Sequence, residues 1–210
     1  MVDMRCITAK AHPFNDGQKQ SNHLAPVAQQ GPGMAQAWDA AYIKSLVYPY
    51  TLSFNDTIQK TTNFTLRIAN TGDAKVEYNI GQVAASSIYI LTKDGREADI
   101  FPLQHFKSST KLDSSSSKII ADPGKVGHVH VRLTSSRADE LHRLPYHFGY
   151  VSINGTYGSA LTVPYQHIGA DFQSILVIPT GATNIYNSTD HSAGSDQDAH
   201  ALCSAKTRHN

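Results

Sequence analysis

From Val47 onward the chain changes sides every second residue. The runs VYPYTLSF, NFTLRIAN, KVEYNIG, SIYILT, KIIAD, GHVHVRLT, YHFGYVSI, SALTVPY and SILVIP are short and β-rich. Between them fall turn signals such as Asn70-Thr71-Gly72-Asp73, Lys93-Asp94-Gly95, Asp122-Pro123-Gly124 and Asn154-Gly155. In NFTLRIAN, Phe64, Leu66 and Ile68 alternate with Thr65, Arg67 and Ala69, the mark of a strand buried on one face. Val126, Val129, Val131 and Leu133 give a similar, less regular strand. Many short strands without intervening helices predict a mainly β fold, an antiparallel β-sandwich.

The leading residues follow another pattern. Residues 1–31 carry few periodic apolar positions and many loop formers, and they read as loop. From Pro32 to about Ile43, PGMAQAWDAAYI places Met34, Ala37, Trp38 and Ala41 on one helical face. The spacing predicts one short helix with an apolar stripe that must face water, fold onto the sandwich or find a partner. The stretch 108–117 reads as a polar loop between strands. Beyond Pro179 large apolar residues nearly vanish, which predicts a disordered tail over 180–210.

Composition adds exclusions. The 210 residues suffice for one main domain with appendages, and a net charge of +1 argues against nucleic acid or an anionic membrane as partner. No apolar run is long enough to span a bilayer, and the first ten residues lack the apolar core of a secretory signal. The two cysteines, Cys6 and Cys203, lie near opposite ends. They form one bridge or remain two free thiols, and no disulfide framework holds the fold. Four Asn-x-Ser/Thr sequons, at Asn55, Asn63, Asn154 and Asn187, are candidate N-glycosylation sites and favour an extracellular compartment.

Eleven histidines invite a search for metal or catalytic sites. His128 and His130, two apart on a strand, would share a face and could ligate a transition metal, but no third ligand lies near in sequence and a solvent-facing pair is the plainer reading. His142 and His147 flank Pro145 in ELHRLPYHFGY, where a surface or partly buried role is expected; His12, His23, His105 and His167 stand alone. No serine sits in a Gly-flanked nucleophile elbow, no Gly-rich phosphate loop occurs, and Asp139 and Glu140 do not make an acid-base pair. These residues predict no catalytic, cofactor or metal site.

The stretch APVAQQGPGMAQAWDAAY resembles the end of the catalytic domain in secreted fungal subtilisin-like serine proteases (subtilases), where a similar loop and short helix close the protease fold. Upstream, ITAKAHPFNDG resembles the segment that precedes it. Downstream, LSFNDT, FTLRIANTGDAKVEYNIG and LPYHFGYVSINGTYGSALTVPY resemble the fibronectin-III-like sandwich fused behind that domain in C5a-peptidase-like members. Pro32 stands where the family usually has Ala, and Phe148 where it usually has Ser. The family's catalytic Asp, His and Ser segments have no counterpart in this chain.

The resemblance implies a remnant of the catalytic domain over 1–43, a fibronectin-III-like sandwich over 44–179 and the tail beyond. It further implies a secreted serine endopeptidase as parent, with the catalytic domain as partner in cis, protein substrates, and a chain that is inactive alone. Loops 92–98 and 108–117 would then be presented near the substrate cleft. The competing expectation is a free-standing extracellular binding or adhesion module.

Overall fold

A computed structural model describes residues 8–15, 20–58, 61–95, 97–99, 103–107, 110–135 and 140–173. Two sheets face each other. One is four-stranded, in the order β3 (Ser45–Tyr48), β5 (Asn63–Asn70), β11 (Val126–Ser135) and β9 (Lys111–Ser114). The other runs β10 (Lys118–Ala121), β6 (Val76–Ala84), β12 (Pro145–Gly155), β13 (Ala160–Ile168) and β4 (Leu52–Ser53), with β7 (Ser86–Tyr89) and β8 (His105–Lys107) attached beside β12. Pairing is antiparallel throughout the two sheets except for β13 with β4, which is parallel. The fold is a mainly β, antiparallel sandwich, as the alternating pattern predicts.

Alternation also decides what enters the core. Leu66 and Ile68 of β5, Val129, Val131 and Leu133 of β11, Val151 and Ile153 of β12, and Leu161, Val163 and Tyr165 of β13 close on one another with Phe54 and Tyr78. Each fully buried aliphatic or aromatic side chain contributes on the order of 2 kcal/mol of hydrophobic stabilisation. Val126 departs from the expected set and lies exposed at the start of β11. Arg67, His128, His130 and Arg132 point outward to water.

The leading residues are not plain loop. Pro13–Asn15 (β1) pairs with Gln20–Leu24 (β2), and two short helices follow, Val27–Gln30 (α1) and Ala37–Tyr42 (α2), in place of the single helix expected over 32–43. The break has a local cause. Gly33 adopts φ +108 with its Cα against the backbone of Lys10, where a Cβ would lie 2.3 Å from the Lys10 carbonyl oxygen. Met34 consequently exchanges both backbone hydrogen bonds with Lys10, each 3.0 Å, instead of continuing a helix. Gln30 clasps the segment: Nε2 donates to the carbonyls of Ala25 (2.9 Å) and His12 (3.2 Å), and Oε1 accepts from the His12 amide (2.7 Å).

This segment lies on the outer face of the larger sheet. Phe148 and Tyr150 of β12 point away from the main core, yet they are buried, packed with Val27, Ala85 and Ile88. Leu24 bridges to Ala85, and the Tyr150 hydroxyl donates to the Gly31 carbonyl at 2.9 Å. The run YHFGYVSI is apolar on both faces because both faces are covered.

One further reading needs correction. Residues 108–117 are not simply a loop, since β9 forms over Lys111–Ser114, with the Leu112 amide donating to Gln82 Oε1 at 3.1 Å. Its polarity suits an edge strand, which needs backbone pairing more than an apolar side-chain run. The run SILVIP, the tail over 180–210, Cys6 and Cys203 lie outside the described residues. Among the described residues no helix is long and apolar enough to cross a membrane.

Candidate functional site

Where α2 meets one end of the sandwich a cleft opens, with a volume of about 580 Å³. One wall is α2, whose Trp38 and Tyr42 stand one turn apart with ring centroids at 4.3 Å. The other is the Thr156–Ala160 turn that joins β12 to β13. Tyr157 in that turn has φ 66 and ψ 24, a left-handed conformation in which a bulky residue is uncommon. Its neighbours fix it there: the Gly155 amide donates to Ser159 O (2.7 Å) and the Thr156 hydroxyl accepts from the Glu77 amide (3.2 Å).

These three rings are among the most exposed large side chains of the molecule, Trp38 at 73%, Tyr42 at 64% and Tyr157 at 82%. Polar groups complete the surroundings. Lys10 faces Asp39 at 3.7 Å and Lys44 faces Asp73 at 3.1 Å, both pairs largely in solvent. The Lys44 hydrogen bond holds the Asp73 carboxyl below the usual carboxylate range. On the floor, buried Ser45 shares a 2.8 Å hydrogen bond with the Tyr78 hydroxyl, whose pKa burial raises. The cleft therefore offers flat apolar faces beside paired charges and hydroxyls, a lining suited to binding and without an activated nucleophile.

The sequence-predicted residues are scattered. Asn55, Asn63 and Asn154 are exposed, and Asn187 lies outside the described residues. Asn55 has φ 57 and its side-chain amide donates to the Thr61 hydroxyl at 3.4 Å. Asn63 starts β5 opposite Arg132. Asn154 is the penultimate residue of β12, directly across from Ala160 of the cleft wall. His128 and His130 occupy the solvent face of β11, and His130 Nδ1 lies 2.9 Å from the Thr65 hydroxyl. Among the described residues no three His, Cys, Asp or Glu side chains gather around a point that could hold a metal ion.

Two clusters are legible only in three dimensions. His147 and His167, far apart in sequence, are direct cross-strand partners of β12 and β13, both buried, with rings stacked at 5.7 Å. His167 therefore does not stand alone, and His147 is fully buried where a surface or partly buried role was expected. Burial, then the charge on His167, push the His147 imidazole down to about 4. Arg143, 1% exposed, donates from Nε to Leu91 O (3.1 Å), from Nη1 to Glu140 (2.6 Å) and Gln104 (2.7 Å), and pairs through Nη2 with Asp99 (3.4 Å). Its guanidinium also lies 4.3 Å from the Tyr89 ring centroid. With its donors so engaged, Arg143 fastens the 91–99 loop to the sandwich.

The sequence profile of the Fn3-like domain family matches residues 52–166. The chain belongs to the Fn3-like domain family. Its Fn3-like part comprises most of both sheets, while the leading segment and α2 precede the matched region. No curated protein matches the chain.

Among solved structures, an ASH / PapD-like domain of human CEP192 superposes with a TM-score of 0.44 at 9% identity, covering 60% of this chain and 84% of that one. The CsuC-CsuE chaperone-tip adhesion subunit complex of Acinetobacter baumannii gives 0.40 at 10% identity, over 61% and 53%. The CupB2 chaperone of Pseudomonas aeruginosa gives 0.36 at 14%, over 57% and 54%. The Fn3-like chain thus spans about half the length of these two bacterial chains.

Proposed function

We propose that this Fn3-like chain is the accessory C-terminal region of a subtilisin-like serine endopeptidase, catalytically silent by itself. The observation that carries the reading is the leading segment. Gln30 and Gly33 hold it together internally and the Tyr150 and Thr162 hydroxyls fix it to the sandwich at Gly31 and Ala9, yet Met34, Ala37 and Ala41 remain in solvent. Small residues one turn apart on α2 allow another backbone to approach closely. A catalytic domain in cis would cover that side, and the sandwich would buttress it. Loops 92–98 and 108–117 are then the candidates to stand near its substrate cleft. Together with the sequons, the reading places the protein outside the cell.

Fluorophosphonate labelling of the native protein from its source tests this reading, with the labelled band sized and identified by peptides of this sequence. Labelling on a much larger polypeptide is the expected result. An unlabelled species of the size of this chain would overturn it and bring forward a second reading, a free-standing binding module. The aromatic cleft is the feature that favours that alternative.

A further inference from the structure

The cleft has a covalent neighbour. Asn154 and Ala160 are directly opposed on β12 and β13, so their side chains leave the sheet on the same face, about 5 Å apart at Cβ. Ala160 belongs to the cleft wall. Asn154 opens the sequon Asn154-Gly155-Thr156, and its third residue, Thr156, stands in that same wall beside Tyr157. An acceptor amide thus sits at the mouth of a cleft edged by three solvent-exposed rings.

We propose that Asn154 is N-glycosylated and that the first sugars of its glycan seat in this cleft, against Trp38, Tyr42 and Tyr157. The inference rests on secretory passage, as the proposed function does, but not on the presence of a protease domain. Attachment joins Asn154 Nδ2 to the anomeric carbon of a lipid-linked oligosaccharide diphosphate. The carbon–phosphate oxygen bond breaks, lipid diphosphate leaves, and the amide proton passes to the base of the transferase.

The chemistry of the cleft suits an N-acetylhexosamine. The C–H face of a pyranose packs on an aromatic ring, and its hydroxyl and acetamido groups need both donors and acceptors nearby. The Lys10–Asp39 and Lys44–Asp73 pairs supply both at the rim. Among the described residues nothing covers these rings, one in a left-handed turn and two on a short helix. The other described sequons lack this setting. Asn63 opens onto the outer face of the four-stranded sheet beside Thr65 and Arg132, and Asn55 engages Thr61.

Trp38 is the single tryptophan of the chain, so its fluorescence reports on the cleft alone. The full chain, secreted from a glycosylating eukaryotic host, is mapped by peptide mass and its Trp38 quenching by acrylamide measured. Asn154→Gln, or removal of the whole glycan with peptide-N-glycosidase F, should raise quenching about two-fold and shift emission to the red, whereas Asn63→Gln should change neither. Tyr157→Ala should keep the glycan yet raise quenching. In addition, N,N′-diacetylchitobiose titrated into unglycosylated chain should shift the emission to the blue.

An unoccupied Asn154 in the secreted chain would overturn the modification. An occupied Asn154 whose removal leaves quenching unchanged would overturn the seating, as would Trp38 already shielded in Asn154→Gln by another polypeptide, or an emission indifferent to the disaccharide. Fluorophosphonate labelling reads the protease proposal separately, so the two fail independently.

Discussion

At the scale of single residues, the buried His147 has the most direct consequence. Its imidazole stacks on His167, meets the edge of Phe106 and is held neutral by burial, with a pKa lowered to about 4 from 6.5. Because the folded value is depressed, the unfolded chain binds more protons below pH 6.5. The stabilisation is complete above that pH and is lost as pH falls towards 4. The full difference amounts to on the order of 3 kcal/mol. Carboxylates titrate in the same range, so the prediction concerns a comparison. Urea unfolding of the native chain should lose more stability between pH 6.5 and 4 than that of His147→Leu. Equal slopes would remove His147 as the cause.

Strands and their neighbours set the next scale. Gly149 on β12 faces Tyr165 on β13, and a Cβ added there would lie 2.3 Å from the tyrosine hydroxyl and 2.4 Å from its ring carbon. Tyr165 cannot retreat easily, being fully buried and hydrogen-bonded by Gln82 Nε2 at 2.6 Å. Gly149→Ala should therefore destabilise by about 1–3 kcal/mol through overpacking. Combining it with Tyr165→Leu should cost less than the sum of the two single changes in thermal unfolding; strict additivity would show that the ring is not the obstacle. Strand existence was readable from alternation, as at Leu66 and Ile68. The three-residue β8 and the polar β9 were not, because short pairing strands owe their state to backbone partners elsewhere in the chain.

The molecule as a whole depends on a cover that alternation could not reveal. Phe148 and Tyr150 were visible as apolar positions on the second face of β12, but the sequence does not say that Val27 and Leu24 lie above them. A chain shortened to begin at residue 44 should expose these side chains, bind a hydrophobic dye such as ANS and unfold at lower denaturant. Burial of each ring contributes on the order of 2 kcal/mol. Unchanged dye binding and midpoint would show the cover to be dispensable. The candidate site was less legible than the fold. Trp38 stood out as an apolar position, and the sequons mark themselves, but the meeting of Asn154, Tyr157 and Trp38 depends on β12–β13 register and on where α2 comes to rest. The His147–His167 stack depends on that register too.

The order of strands also governs how the molecule meets copies of itself. The longest strands, from 8 residues in β5 to 11 in β12, all lie inside their sheets. The outermost strands are brief, four residues in β3, β9 and β10, three in β8 and two in β4. Lys111 and Asp113 place opposite charges along β9, and Lys118 begins β10. An unpaired row of amides and carbonyls recruits a neighbouring chain when it is long, flat and apolar. Among the described residues each such row ends within two to four residues, so these borders offer little template for stacking edge to edge into fibres.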